Sequence, residues 1–509
     1  LLSLLRNYQY RQWAVAAALG ATTVLGYAPT AYTLIPIITF GGLFALWQHA
    51  TTARAAALIG GCFGLAWFGV GVSWIYISLH DFGGTPATGA LLLNAAFCSY
   101  LALFPALAGY CVKRFQQAHI SYWLLVAPAL CTISEWLRGV LFTGFPWLHP
   151  GYSQTASPLA GYAAVLGIHG INFLLFTSAG LCALLYQSLR SRTTTPKLWA
   201  STVIVGALWA GGYGLNQIAW TSASPQPLTV SVLQGNVSQD QKWHPTALRE
   251  TLLTYLDMVR QSHNQLIVLP ETALPLFLQD VPSDYLEAMA QHARAQGGAV
   301  LLGVPERGRS GEYYNSVLAL DGHTSQFYRK SHLVPFGEFI PLRALIASLV
   351  SQIAIPLQDF SPGSITQQPL TLGNERIAIN ICYEDAFGDE IIRQLPLATV
   401  LVNVSNVAWF GHSHAAQQHL QIAQMRARET GRFMLRATNT GMTAIINPYG
   451  QVLAAAPEFS RTSVDYTVTG MHGSTPYIYW GNHCILWLCG LILGGVAIQR
   501  YRARPTANH

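Results

Sequence analysis

The sequence predicts an α-helical membrane bundle of eight spans carrying an α/β domain. Three observations predict it. The 509 residues have a mean hydropathy of +0.31 and only 10% charged residues, which is too apolar for an ordinary soluble enzyme. The acids are unevenly placed: Asp81 and Glu135 are the only two before Pro225, and the other 20 of the 22 lie between Asp240 and Asp465. Within that acid-bearing part, short apolar runs alternate with helical stretches, the pattern of an α/β layered domain. The expected division is 1–216 as a transmembrane domain of seven spans, 217–475 as a polar catalytic domain, and 476–509 as an eighth span with a tail.

The spans are expected at 12–28, 31–48, 56–78, 87–112, 120–139, 158–188, 198–216 and 476–498, each near the ~20 residues that cross a bilayer. The first could pass for a signal peptide. A second apolar span follows almost at once with no clean processing site between, so the first is expected to be retained. Arg6 and Arg11 precede span one, Arg54 follows span two, Lys113 and Arg114 follow span four, and Arg190, Arg192 and Lys197 follow span six. Arg500, Arg502 and Arg504 follow span eight, while the alternate loops 29–30, 79–86 and 140–157 hold no Lys or Arg. By the positive-inside rule both termini are cytoplasmic and 217–475 lies across the membrane, which in a bacterium is the periplasm. These loops and tails account for the net charge of +6, so nucleic-acid binding is not expected.

Near the end of span five stands Glu135-Trp136-Leu137-Arg138, followed by Thr143-Gly144-Phe145-Pro146-Trp147. An acid and a base three apart share a helix face and can pair. Two readings stand open: a helix-end ion pair beside an interfacial aromatic belt, or a functional site.

In the polar domain, strands are expected at 228–233, 266–269, 299–304, 316–320, 376–381, 399–404, 433–437 and 443–446. Helices are expected at 245–263, 283–296 and 414–429. Gly297-Gly298 stops the second and Gly431 the third.

The chemistry gathers at strand ends. Of eight cysteines, at 62, 98, 111, 131, 182, 382, 484 and 489, only Cys382 lies outside a long apolar segment. No disulfide can therefore form within the polar domain. Cys382 follows the run I-A-I-N-I, at the strand end where α/β proteins tend to place ligands. A lone cysteine is a nucleophile only if a base and a charge stabiliser accompany it; otherwise it is an inert small hydrophobe. Glu271 ends another strand, and Lys330 lies between the two in sequence. A carboxylate to take the thiol proton and an ammonium to hold an oxyanion would complete an acyl-transfer site.

These residues stand in recognisable surroundings. P-E-T at 270–272, Y-R-K-S-H-L-V-P-F-G-E at 328–338 and C-Y-E-D at 382–385 resemble the three signatures of the nitrilase, or carbon–nitrogen hydrolase, superfamily. With E-W-L-R-G at 135–139, T-G-F-P-W at 143–147 and eight spans, nearly the whole chain resembles the apolipoprotein N-acyltransferase family. The resemblance implies an αββα sandwich and a triad of Glu271 as base, Lys330 as stabiliser and Cys382 as nucleophile. It implies supporting roles for Glu338, Tyr383 and Glu384, and a place near substrate for Trp243. The implied reaction is ping-pong: an acyl chain passes from a membrane phospholipid to a Cys382 thioester, then to the N-terminal amine of a diacylglyceryl-cysteine apolipoprotein. The implied partners are that phospholipid, that acceptor and the bilayer of the bacterial inner membrane. No cofactor is implied, and a monomer is expected. A membrane-tethered amidase with a small soluble substrate would use the same triad but has no need of seven preceding spans. A transporter or scaffold would have no need of the triad.

Two further features enter as expectations. His412, His414 and His419 lack a cysteine or carboxylate cluster in sequence, so a polar helix start is preferred to a metal site. The apolar stretch from Val334 to Leu357 has helical periodicity. A ninth span over Phe339–Leu357 would put the basic tail on the wrong side; an amphipathic arm on the membrane, acting as a lid, or a face packed on the domain fits better.

Overall fold

In the computed structural model, which describes residues 2–321, 325–340 and 359–502, the chain divides into two units. One comprises the residues up to Ser73, 91–218 and those from Trp480 on; the other comprises Trp74–Ala90 and Ala219–Tyr479.

The first unit is helical: α1 (Leu2–Thr23), α2 (Leu34–His49), α3 (Ala53–Gly71), α4 (Ala87–Phe115), α5 (Ala127–Val140), α6 (Ala163–Ser191), α7 (Pro196–Leu215) and a C-terminal helix, His483–Arg502. Side-chain caps set two of the starts. Thr52 accepts from the Ala55 N–H at 3.1 Å, and Thr195 accepts from the Leu198 N–H at 3.3 Å. Among the described residues, six segments are long and apolar enough to cross a membrane. They are Ala53–Gly71, Ala87–Phe115, Tyr122–Thr143, Pro158–Ser191, Pro196–Leu215 and His483–Arg502. The first two expected spans fall on α1 and α2, which are not among the six. α2 is apolar but has 16 residues, about 24 Å at the helical rise and short of a ~30 Å hydrocarbon core. In α1 the polar run R-N-Y-Q-Y-R-Q fills the N-terminal half and dilutes the apolar remainder.

The Glu135–Arg138 pair forms, buried, with Nη2 2.5 Å from Oε2. It does more than close the end of α5. Arg138 Nη1 donates to the Trp147 carbonyl at 2.8 Å and to that of Phe145, and Glu135 Oε2 lies 3.0 Å from His149 Nδ1. The guanidinium carbon sits 5.1 Å from the Phe68 ring centroid. A buried ion pair with its remaining hydrogen bonds met by loop carbonyls holds the loop after α5 against the helices.

The second unit holds β1 (Thr221–Gln234), α8 (Pro245–Gln261), β2 (Leu266–Val268), α9 (Ser283–Ala295), β3 (Ala299–Arg307), β4 (Tyr313–Leu320), β5 (Ser325–Arg329) and β6 (Leu370–Leu372). It continues with β7 (Glu375–Ile381), β8 (Val400–Ser405), α10 (Ala415–Thr430), β9 (Met434–Thr438), β10 (Ala444–Ile446), β11 (Val452–Ala455) and β12 (Thr462–Gly473). Two six-stranded mixed sheets form, in the orders β12-β1-β2-β3-β4-β5 and β11-β10-β9-β8-β7-β6. Each has a parallel trio at its centre, β1-β2-β3 in one and β7-β8-β9 in the other.

The layering follows from the two-residue alternation of strands. Val230 and Val232 of β1 meet Ile379 and Ile381 of β7 and Val402 and Val404 of β8 between the sheets. The residues of opposite parity, Leu233 and Ile267, pack on Tyr255 and Val259 of α8 and Met289 and Ala293 of α9. On the other sheet Ala378, Leu401 and Met434 pack on Leu420, Ala423 and Ala427 of α10. The order is helix, sheet, sheet, helix. The glycine stops act as expected: Gly297 at φ +67° and Gly431 at φ +62° adopt the left-handed turn that ends α9 and α10.

Four strands lack a sequence signal: β5, β6, β11 and β12. All pair antiparallel. β12 pairs antiparallel with β1 from Gln234↔Thr462 to Thr221↔Gly473, with a shift of register between Ala223 and Pro227, and only Val464 and Val468 of its alternating residues join the core between the sheets. The expected arm over 334–357 lies, from 341 on, outside the described residues.

Candidate active site

Two residues, Leu269 and Pro270, separate Glu271 from the end of β2 and turn the chain there. A close backbone approach positions it. A Cβ on Gly303 of β3 would lie 2.2 Å from the Pro270 carbonyl oxygen and 2.8 Å from Glu271 Cα. Only glycine fits there. Lys330 directly follows β5, and its N–H donates to the Asn315 carbonyl at 2.8 Å. Cys382 directly follows β7 and opens a single tight turn, Cys382–Ala386. Its φ is +53°, a left-handed conformation that costs a non-glycine residue of order 1–3 kcal/mol and turns the side chain off the strand line.

The structure brings Lys330, Glu271 and Glu338 into one buried cluster. Lys330 Nζ is 2.9 Å from a Glu338 carboxylate oxygen and 3.5 Å from Glu271 Oε1. Asn315 Nδ2 bridges the two acids, donating to Glu271 Oε1 at 2.7 Å and to Glu338 Oε1 at 3.0 Å. The other Glu271 oxygen accepts from the Asn406 N–H at 2.8 Å, and the Val334 N–H donates to Glu338 Oε2 at 2.8 Å. Two carboxylates thus share one ammonium. Burial pulls the Lys330 pKa down, but Glu338, Glu271 and the Cys382 sulfur outweigh it, so the amine is held above its ordinary value and stays charged. Cys382 is partly exposed. Desolvation first, then the Glu271 charge, push its thiol well above the usual range, with Lys330 pulling the other way. The resting sulfur is therefore a thiol, and it needs a base at the moment of attack.

Glu384 is buried beneath the site and saturated. It accepts from the Ile381, Ser331 and His332 N–H groups at 2.7, 2.7 and 3.1 Å. It also accepts from the Ser331 hydroxyl at 2.9 Å and the Tyr328 hydroxyl at 3.0 Å. Burial raises its pKa and these N–H donors lower it, with a net upward shift. Its geometry ties the end of β5 to the end of β7, which sets the spacing of Lys330 and Cys382. Tyr383 is buried and packs edge-on to Phe387 at 5.1 Å and His332 at 5.8 Å. Trp243 is 43% exposed and touches none of these groups through a hydrogen bond among those described. Its neighbour Lys242 is buried; desolvation brings its pKa to about 8 against the opposing charge of Glu271.

Sequence reasoning missed Asn315, Asn406, Asn403 and Asp385. An asparagine inside an apolar strand, as in V-L-V-N-V-S, was the available signal. Of the three histidines, His412 stacks on Phe459 at 3.8 Å, His414 precedes α10, and His419 turns inward to Asp385 and the Cys382 carbonyl.

Comparison with known proteins accounts for both units. Residues 19–181 match the apolipoprotein N-acyltransferase N-terminal domain model, and 229–477 match the carbon-nitrogen hydrolase model. A Nitrosomonas europaea protein named apolipoprotein N-acyltransferase is 47% identical over 97% of this chain and 99% of its own length. Relatives of the same name from Methylococcus capsulatus and Chromobacterium violaceum are each 43% identical over 96% of this chain, covering 96% and 94% of their lengths. With a nitrilase-type layered domain, six membrane-length apolar helices among the described residues and near full-length similarity of this kind, the chain belongs to the apolipoprotein N-acyltransferase family.

Proposed function

We propose that the chain transfers an acyl chain from a membrane phospholipid to the N-terminal amine of diacylglyceryl-cysteine apolipoproteins, through a thioester on Cys382. The observation that supports this is the buried Lys330–Glu271 pair, 3.5 Å apart, whose charges both act on the Cys382 thiol, itself placed on a strained strand-end turn. Glu271 takes the Cys382 proton as Sγ attacks the ester carbonyl. The oxyanion is held by the Lys330 ammonium and the Tyr383 N–H. Glu271 then gives the proton to the departing lysophospholipid oxygen, leaving the thioester. The acceptor amine attacks next, Glu271 takes its proton, and the thiolate leaves and is reprotonated. Glu338 and Asn315 fix Lys330 and Glu271. Glu384 sets the spacing of the strand ends, Tyr383 fills the turn, and exposed Trp243 contacts substrate. The names and near full-length identity of the relatives support apolipoprotein as acceptor over a small soluble amide.

The loop charges support eight spans, both termini in the cytoplasm and 217–475 in the periplasm of the inner membrane. The chain is proposed to act as a monomer. The test is intact-mass measurement after incubation with phospholipid vesicles: a mass increase equal to one acyl chain, mapped to Cys382, is expected. An unmodified protein that still acylates acceptor would overturn the thioester. A reporter fused after Thr221 is expected to read periplasmic and one after Arg502 cytoplasmic; the same side for both would break the eight-span topology.

A further inference from the structure

The carbonyl oxygen of Cys382 is held by two side chains from other elements. His419 Nε2, on α10, lies 3.2 Å from it, and Asn403 Nδ2, on β8, donates to it at 3.2 Å. His419 Nε2 also lies 2.7 Å from Asp385 Oδ1. Both partners of Nε2 are acceptors, so Nε2 carries the proton and shares it between them. Asp385 Oδ2 accepts from Arg436 Nη1 at 3.0 Å, and the same Nη1 donates to Asn403 Oδ1 at 2.8 Å. The bonds close a ring: Cys382 carbonyl, His419, Asp385, Arg436, Asn403 and back to the carbonyl. His419, Asp385, Arg436 and Asn403 are all buried, at 1% exposure or less. Asn403 is saturated, since its second N–H goes to Asn380 Oδ1 at 2.6 Å and Oδ1 also accepts from the Ser405 hydroxyl at 2.6 Å. Burial and the Arg436 charge lower the His419 pKa against the pull of Asp385, so the imidazole is neutral and the ring balances one anion with one cation.

This much buried polar structure around one carbonyl has a consequence for the next atom in the chain. In a trans peptide the carbonyl and the following N–H lie in one rigid plane and point in opposite directions. Fixing the Cys382 oxygen therefore fixes the Tyr383 N–H on the face opposite the ring. Among the described residues the pairing of β7 with β8 ends at Ile381↔Val404, one residue before this plane. We propose that His419 and Asn403 are positioning residues that aim the Tyr383 N–H at the oxyanion by clamping the carbonyl of the Cys382–Tyr383 peptide. This rests on the acyl-transfer reading above. Neither residue touches substrate; Asp385 and Arg436 hold them in place.

Two reactions of the same sulfur separate this role from its rivals. Thioester formation from phospholipid passes through an oxyanion, whereas alkylation by iodoacetamide is a direct displacement at carbon with none. The full-length protein in phospholipid vesicles is used, and both products are mapped to Cys382 by peptide mass. His419→Ala is expected to slow acylation about a hundredfold, the loss typical of one misplaced oxyanion donor. Alkylation should change by less than about threefold, since the thiol keeps its base and its cation. His419→Gln retains an N–H at nearly the same reach and is expected to recover most of the acylation rate. Equal loss of acylation and alkylation would mean that His419 acts on the sulfur, and would overturn the proposal; so would unchanged acylation. Should His419→Ala fail to fold, Asn403→Ala is read by the same two rates. There, loss of acylation alone supports the clamp, and parallel or absent loss overturns it. No adduct on Cys382 in the unsubstituted protein would overturn the acyl-transfer reading and the clamp with it. An adduct that His419→Ala forms at the parent rate overturns the clamp alone.

Discussion

Cys382→Ala is expected to abolish the acyl adduct and turnover together, and Cys382→Ser to leave at most a trace. The sulfur is the one thiol outside the apolar segments, and it stands on a turn that displaces it from the line of β7. Its environment already disfavours the thiolate, through burial and the Glu271 charge, so ionisation is possible only with proton transfer to a base during attack. A serine hydroxyl ionises far less readily than a thiol, and the same base would leave it largely unreacted. Alanine also removes little volume at a partly exposed site, so unfolding should not obscure the result. Adduct formation on the alanine variant, measured by intact mass, would place the nucleophile elsewhere.

The second large effect concerns the charges around the sulfur. Glu271→Gln and Lys330→Met are each expected to slow thioester formation by about a hundredfold or more. Glutamine keeps the shape of the carboxylate but accepts no proton. Methionine keeps the Lys330 stem and removes the charge that faces the oxyanion. The Lys330 change has a further cost. Glu271 and Glu338 both lie against its ammonium, and without it two buried carboxylates face each other across Asn315. Breaking a buried ion pair typically costs about 3–5 kcal/mol, so Lys330→Met should also melt earlier. Glu271→Gln leaves the Lys330–Glu338 pair intact and should melt near the parent. The double variant should be little slower than either single one, because the two residues serve one transition state. Rates that multiply would mean that they act in separate steps.

Much of this protein was legible from residue order alone. The split between an acid-poor apolar part and an acid-bearing α/β part followed from where 22 acids stand. The central strands β2, β3, β7, β8 and β9 announced themselves because strands buried on both faces are continuous apolar runs. The residues that end them, Glu271 and Cys382, stood out as polar interruptions of those runs. The edge strands were silent for the converse reason. β12 carries alternate polar residues and is held by backbone bonds to β1, and backbone pairing leaves little mark on composition. The span count is where sequence and structure part: the sequence reads crossings at 12–28 and 31–48, whereas α1 and α2 are not among the six helices that are long and apolar enough to cross, counted over the described residues.

What only the tertiary structure decided is which side chains from distant segments meet. Asn315 bridges Glu271 and Glu338 because antiparallel β4 and β5 set it beside Lys330. Asn406 reaches Glu271 across 135 residues of chain because β8 and β2 belong to two sheets that share one core between them. The ring around the Cys382 carbonyl draws on the turn after β7, on β8, on α10 and on β9. Residue periodicity records which face of an element is buried, and so it foretells layers. It does not record which polar groups are brought within 3 Å of one another, because that depends on register and strand order, which arise only when the sheets pack.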